Sequence, residues 1–163
     1  TIRNEMVKLT QKGYLKKSEG VSRSIEVVKE IVGISDPQIN LPLMGFIAAG
    51  APLEPYTEPD ATFAVSSTMV SGKKPAYVLQ VKGESMIEEG IFDGDYVVVE
   101  HQDIANDGDI VIALLENGFA TMKKYYHEGE RIKLMPANST MLPIYVTSVT
   151  IQGKVVGVIR KFN

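Results

Sequence analysis

The chain has 163 residues, 44% of them hydrophobic and 23% charged, with a formal net charge of −3; this suits one domain, or one with a small second piece, and excludes wholesale disorder. Cysteine is absent, which removes a disulfide framework, a thiolate zinc site, an iron–sulfur cluster and a cysteine nucleophile, and suits a reducing compartment. No apolar run approaches the roughly 18 residues of a membrane span and no charged-then-apolar leader opens the chain, so neither an anchor nor a signal peptide is predicted.

Charge is unevenly spread. Residues 1–30 hold Arg3, Lys8, Lys12, Lys16, Lys17, Arg23 and Lys29 against Glu5, Glu19, Glu26 and Glu30, a net of +3 that leaves −6 for the remainder. A small basic head on an acidic body points to a polyanion partner, the plainer alternative being a solvated helix face. Ile2, Met6 and Leu9 recur at helical spacing and Gly13 is placed to end that helix. Tyr14-Leu15-Lys16-Lys17 and Ser24-Ile25-Glu26-Val27-Val28 then read as two short strands around a Glu19-Gly20 turn. A helix followed by a basic hairpin over residues 1–28 is the back half of a winged helix, which sets its helix in the major groove and its hairpin against phosphates. Residues 29–42, with Gly33, Ser35, Asp36, Pro37, Asn40 and Pro42, read as a linker.

From residue 43 the pattern turns to strands. Ala76–Val81, Tyr96–Glu100, Asp109–Leu115, Ala120–Tyr126, Arg131–Met135 and Val149–Arg160 are β-rich, and Asp93-Gly94-Asp95, Asn106-Asp107-Gly108 and Asn117-Gly118 supply turns between them. Asn117-Gly118 between two apolar runs predicts a tight hairpin. Strands do not alternate with long helices, so 43–163 is expected to be mainly β rather than a parallel α/β sheet.

Candidates for chemistry are few. His101 and His127 both sit where solvated surface residues are expected, and metal-ligand spacing of the H-E-x-x-H kind is absent, so no metal site is predicted. Gly83-Glu84-Ser85-Met86 stands out because it follows the strand of Ala76–Val81 and precedes Ile87–Ile91, enough for about one helical turn. A serine at such a corner exposes its hydroxyl, and the amides of Glu84 or Ser85 are placed to bind an oxyanion; alternatively, Ser85 caps the short helix. With histidine unsuited, the remaining base is a lysine, which must be desolvated to be neutral near pH 7. Residues 119–126 contain Lys123, sharing a strand face with Phe119, Thr121 and Tyr125, and Lys124, sharing the other with Ala120, Met122 and Tyr126. Periodicity does not decide between them.

Gly83-Glu84-Ser85-Met86, Thr121-Met122-Lys123-Lys124, Leu134-Met135-Pro136-Ala137-Asn138-Ser139 with Pro143-Ile144, Gly45-Phe46-Ile47-Ala48-Ala49-Gly50-Ala51-Pro52-Leu53 and the run from Ile151 to Arg160 together resemble the self-cleaving LexA repressor family over essentially the whole chain. The resemblance implies a winged helix-turn-helix, here incomplete, followed by a β-rich protease-like domain over residues 43–163. It implies Ser85 as nucleophile, Lys123 as general base, the amides of Glu84 and Ser85 as oxyanion donors and Ala49-Gly50 as the bond cut. It implies operator double-stranded DNA as a partner, with Thr1, Arg3 and Asn4 facing bases. It further implies a RecA filament on single-stranded DNA as activator, a homodimer through the C-terminal domain, a cytoplasmic setting, and no cofactor, membrane or small-molecule substrate. Met122 departs from the smaller β-branched residue common beside the base. The chain opens on Thr1, inside the expected recognition helix, with the first two helices of the winged domain outside it. Lys154–Ile159 is too apolar for a free strand edge and is the expected dimer contact.

A mutagenesis accessory protein of the UmuD type and a phage repressor with a different head share the implied C-terminal domain. The basic helix and hairpin argue against the first, and the winged pattern against the second. A signal-peptidase-like enzyme acting on other chains would call for a membrane anchor.

Overall fold

The computed structural model describes residues 15–17, 25–27, 37–48, 51–55 and 57–162. The expected helix before Gly13, the DNA-facing Thr1, Arg3 and Asn4, and the Ala49-Gly50 bond lie outside the described residues. The chain divides into two compact units, Thr1–Pro37 and Gln38–Asn163. In the first, β1 (Leu15–Lys17) and β2 (Ile25–Val27) pair antiparallel with Leu15 opposite Val27. This is the hairpin predicted from the basic run around Glu19-Gly20.

The second unit is built of strands. In chain order they are β3 (Gln38–Ala48), β4 (Glu54–Pro55), β5 (Thr62–Ser66), β6 (Ala76–Lys82), β7 (Tyr96–Glu100), β8 (Ile110–Leu114), β9 (Ala120–Glu128), β10 (Arg131–Met135), β11 (Ile144–Val146) and β12 (Thr150–Ile159). Among the described residues they join in the order β11-β10-β9-β8-β12-β7-β6-β3-β4, with β5 also on β3. The expected mainly β fold is what the structure shows. The β3–β6 contact is parallel, whereas β6–β7 and β8–β9 are antiparallel. β8 and β9 form the hairpin predicted at Asn117-Gly118, closed by Gly118 N–H donating to Leu115 O at 3.0 Å.

β3 begins at Gln38, so residues 38–42, expected as linker, are strand, with Gln38 opposite Ser66 and Pro42 opposite Thr62. Leu41 and Leu43 are buried while Asn40 and Pro42 face out. The outward polar and proline positions masked a period-two strand.

The core follows the same alternation. Val97 and Val99 join Leu79, Ile47, Met86, Ile112 and Met122 in one buried cluster, while Val98 joins Leu41, Leu43, Phe63, Val65 and Val78 in another. Both faces of β7 are therefore covered. Each fully buried aliphatic side chain contributes roughly 1.5–3 kcal/mol.

Candidate active site

The Ser85 corner is a turn fixed by hydrogen bonds from two directions. β6 ends at Lys82; Gly83 then adopts φ 100°, a conformation that favours glycine, and its amide donates to Asp93 Oδ1 at 2.7 Å. A 3₁₀ turn at Ile87–Glu89 follows, preceded by Met86 and lacking any side-chain cap. The half-buried Ser85 is thus not the capping residue of that turn. The chain past β10 grips the corner from the side: Ala137 N–H donates to Ser85 O at 2.8 Å, and Asn138 Nδ2 donates to Glu84 O at 2.9 Å. The loop 90–95 that carries Asp93 is itself braced: Asp95 accepts from Arg160 Nε and Nη2, both at 2.8 Å, and Arg160 also donates to Gly90 O at 2.8 Å. Among the described residues the amides of Glu84, Ser85 and Met86 donate to no acceptor.

The structure separates the two lysines of β9. Lys123 is 1% exposed, and its Nζ donates to Thr121 Oγ1 at 2.7 Å and Met122 O at 3.1 Å. Both acceptors are neutral. Burial therefore pushes its pKa down from 10.5 to about 8. Lys124 is more open and pairs with Glu89 Oε1 at 2.6 Å; that hydrogen bond holds its pKa above the ordinary lysine value. Periodicity could not choose between them because Ala120, Thr121, Met122 and Lys123 are all buried, on both faces of the strand.

Several contacts bring the corner and β9 together. The Glu89–Lys124 pair ties the turn after Ser85 to the residue beside Lys123. Met86 and Met122, the neighbours of Ser85 and Lys123, share one core cluster. The described hydrogen bonds of Lys123 Nζ go to Thr121 and Met122, not to Ser85 Oγ. Ala48 and Ala51, the described residues nearest in sequence to Ala49-Gly50, reach the same two elements. Ala48, the last residue of β3, lies opposite Lys82 of β6, three residues before Ser85. Ala51 O accepts from Ala120 N–H at 3.0 Å, three residues before Lys123. Gly45 lets β4 pair closely with β3, since a Cβ there would fall 2.1 Å from Glu54 O.

Sequence reasoning missed two contributors. Thr121 offers the acceptor that holds Lys123 Nζ, and it was legible as a same-face neighbour two residues away. Asn138 carries no local signal, because its bond to Glu84 spans 54 positions. The histidines stand apart: His101 is half exposed and 3.5 Å from Asp103, and His127 is exposed. Among the described residues no group of three His, Asp or Glu side chains could hold a metal ion.

Residues 42–156 match the family model described as Peptidase S24-like, a span that contains Ala49-Gly50, Ser85 and Lys123. Over the whole chain, the LexA repressor of Moorella thermoacetica is 42% identical, with 80% of that protein covered. The chain belongs to the LexA repressor family. The LexA repressors of Koribacter versatilis and Bacillus subtilis are 42% and 38% identical, over 99% and 98% of this chain and 80% and 78% of theirs. Membership in the LexA family extends to the first unit as well as the second, because these matches run beyond the S24-like span.

Proposed function

We propose that this LexA-family chain represses DNA-damage (SOS) genes and inactivates itself by cutting its own Ala49-Gly50 bond, with Ser85 as nucleophile and Lys123 as general base. The observation that carries the reading is a lysine 1% exposed, with neutral partners and a pKa brought down to about 8, on the strand beside the serine corner. Near neutral pH a usable fraction of that amine is free to take a proton. Neutral Lys123 Nζ takes the proton of Ser85 Oγ as the oxygen adds to the Ala49 carbonyl carbon. The oxyanion accepts hydrogen bonds from the corner amides, expected at Glu84 and Ser85. Collapse breaks the Ala49–Gly50 C–N bond, and the Lys123 ammonium returns its proton to the departing Gly50 nitrogen. Water then hydrolyses the Ser85 ester, its proton again passing to Lys123.

Because substrate and catalyst are one chain, the docked segment reacts at high effective concentration, and control must come from undocking. A recess of about 330 Å³ is lined by Met44 and Leu53, on either side in sequence of the segment to be cut, and by Leu79 and Ala120 among others. A RecA filament on single-stranded DNA, binding the docked form, shifts the population toward cleavage. Operator DNA is bound by residues 1–28, with Thr1, Arg3 and Asn4 reading bases and the β1–β2 hairpin on phosphates. That hairpin favours a repressor over a UmuD-type accessory protein. The homodimer forms along β12. Thr150–Lys154 register with β8 and Lys154–Ile159 with β7, so beyond Lys154 one edge has no partner among the described residues. Val156 and Val158 there are 37% and 39% exposed. A chromosomal target makes the protein cytoplasmic.

The test is unassisted self-cleavage across pH, with products resolved by mass. The rate is expected to climb as pH passes about 8 and level off above. Ser85→Ala and Lys123→Ala are expected to stop it at every pH. A Lys123→Ala chain that still releases residues 1–49 overturns the mechanism.

A further inference from the structure

A peptide bond is planar and trans, so the carbonyl of one residue and the amide of the next point in opposite directions from one plane. Fixing one fixes the other. At the serine corner two successive carbonyls are fixed by one short segment: Glu84 O by Asn138 Nδ2 at 2.9 Å and Ser85 O by Ala137 N–H at 2.8 Å. The amides sharing those planes belong to Ser85 and Met86. Both are turned away from the 137–138 segment, and neither has an acceptor among the described residues.

The gripping side chain is itself held. Asn138 is 7% exposed. Its Oδ1 accepts from Thr140 N–H at 3.0 Å and Thr140 Oγ1 at 2.7 Å. A backbone N–H is only a donor, so the end of the side chain facing Thr140 is the oxygen and the end facing Glu84 is the NH₂. The segment is locked by a reciprocal pair: Glu88 N–H donates to Ala137 O, and Ser139 N–H donates to Glu88 Oε1, each at 2.8 Å.

We propose that Asn138 is the positioning residue of the oxyanion site, holding the Glu84–Ser85 peptide plane so that the Ser85 amide is kept as a donor, with the Ala137 backbone bracing the next plane. This rests on the serine–lysine reading above, in which Glu84 and Ser85 supply the donors. Asn138 touches no reacting atom; it acts through the orientation of the Ser85 amide. Loss of one oxyanion donor slows such reactions by roughly 10²–10³-fold, so releasing one plane is expected to cost at least about tenfold.

The test uses the 163-residue chain and its Asn138→Asp, Asn138→Ala and Ser139→Ala variants, with self-cleavage followed across pH and folding checked by thermal unfolding. Asn138→Asp keeps the shape and the acceptor for Thr140 but sets an oxygen against Glu84 O; Asn138→Ala removes the grip altogether. The plateau rate of each is expected to fall at least about tenfold while the pH midpoint stays at that of the unmodified chain, since Lys123 is untouched. Ser139→Ala, whose side chain makes none of these bonds, is expected within about twofold. Asn138 variants that keep the full plateau rate overturn the proposal. So does a midpoint that climbs toward the ordinary lysine value with the rate recovered at high pH, because that marks a loosened fold around Lys123. An unmodified chain with no Ser85-dependent cleavage removes the serine–lysine reading and this proposal with it, and that control separates the two failures.

Discussion

Lys123 and Asp95 are each 1% exposed, yet the fold treats their charges in opposite ways. Asp95 has a counter-ion: two Arg160 nitrogens at 2.8 Å, joined by the Phe92 amide at 2.8 Å, and those Arg160 hydrogen bonds hold its carboxyl below the usual carboxylate range. Lys123 has a hydroxyl and a carbonyl but no carboxylate among the described residues, so burial alone lowers its pKa to about 8. Burial does not set the charge of a group; the company inside does. The paired ion fastens the β12 end to the loop after the serine corner. The unpaired one sits near neutrality, where proton transfer is useful.

The comparison can be broken most forcefully at Lys123. Its folded pKa lies below its unfolded value, so the unfolded chain binds the extra proton between 10.5 and about 8, and stability falls as pH drops through that window and is constant below it. In a Ser85→Ala background, where no cleavage interferes, Lys123→Met is expected to raise stability at neutral pH by up to about 3 kcal/mol, at about 1.4 kcal/mol per pKa unit. The gain should fade as pH approaches about 10.5. Urea unfolding at neutral and alkaline pH checks both parts; a gain that is flat with pH would refute the linkage.

Asp95→Asn should show the opposite sign. It weakens three hydrogen bonds to a buried carboxylate, for a loss on the order of 2 kcal/mol. The contribution of Asp95 is present above 3.8 and is lost as pH falls through its lowered folded value. The deficit of the variant in thermal unfolding should therefore shrink in strong acid. Thr121→Val removes a bond that favours the ammonium form of Lys123. The midpoint of the cleavage profile is expected to move to lower pH by less than about one unit. A rise instead would mean that Thr121 mainly serves packing. Smallest of all is Lys124→Ala. The lost pair is partly solvated, at 26% and 36% side-chain exposure, and such pairs contribute under about 1 kcal/mol. Its cleavage rate should stay within about twofold of the unmodified chain, which would separate the two adjacent lysines by function.

By itself the sequence determined what is local in this protein. Tyr96–Glu100 and Arg131–Met135 occur as strands with the predicted bounds, and Asn117-Gly118 is the β8–β9 turn, because β-branched runs and turn residues act over a few positions. The serine corner was legible for the same reason, as a strand ending at glycine before one helical turn. Tertiary structure alone decided which β9 lysine is desolvated, because alternation reports inside and outside only where one face is wet, and here both faces of Ala120–Lys123 are covered. It also decided the parallel β3–β6 pairing that leads Ala48 past Lys82, and the grip of Asn138 on Glu84. Neither leaves a local trace, since each joins residues tens of positions apart whose own φ, ψ preferences are indifferent to the contact.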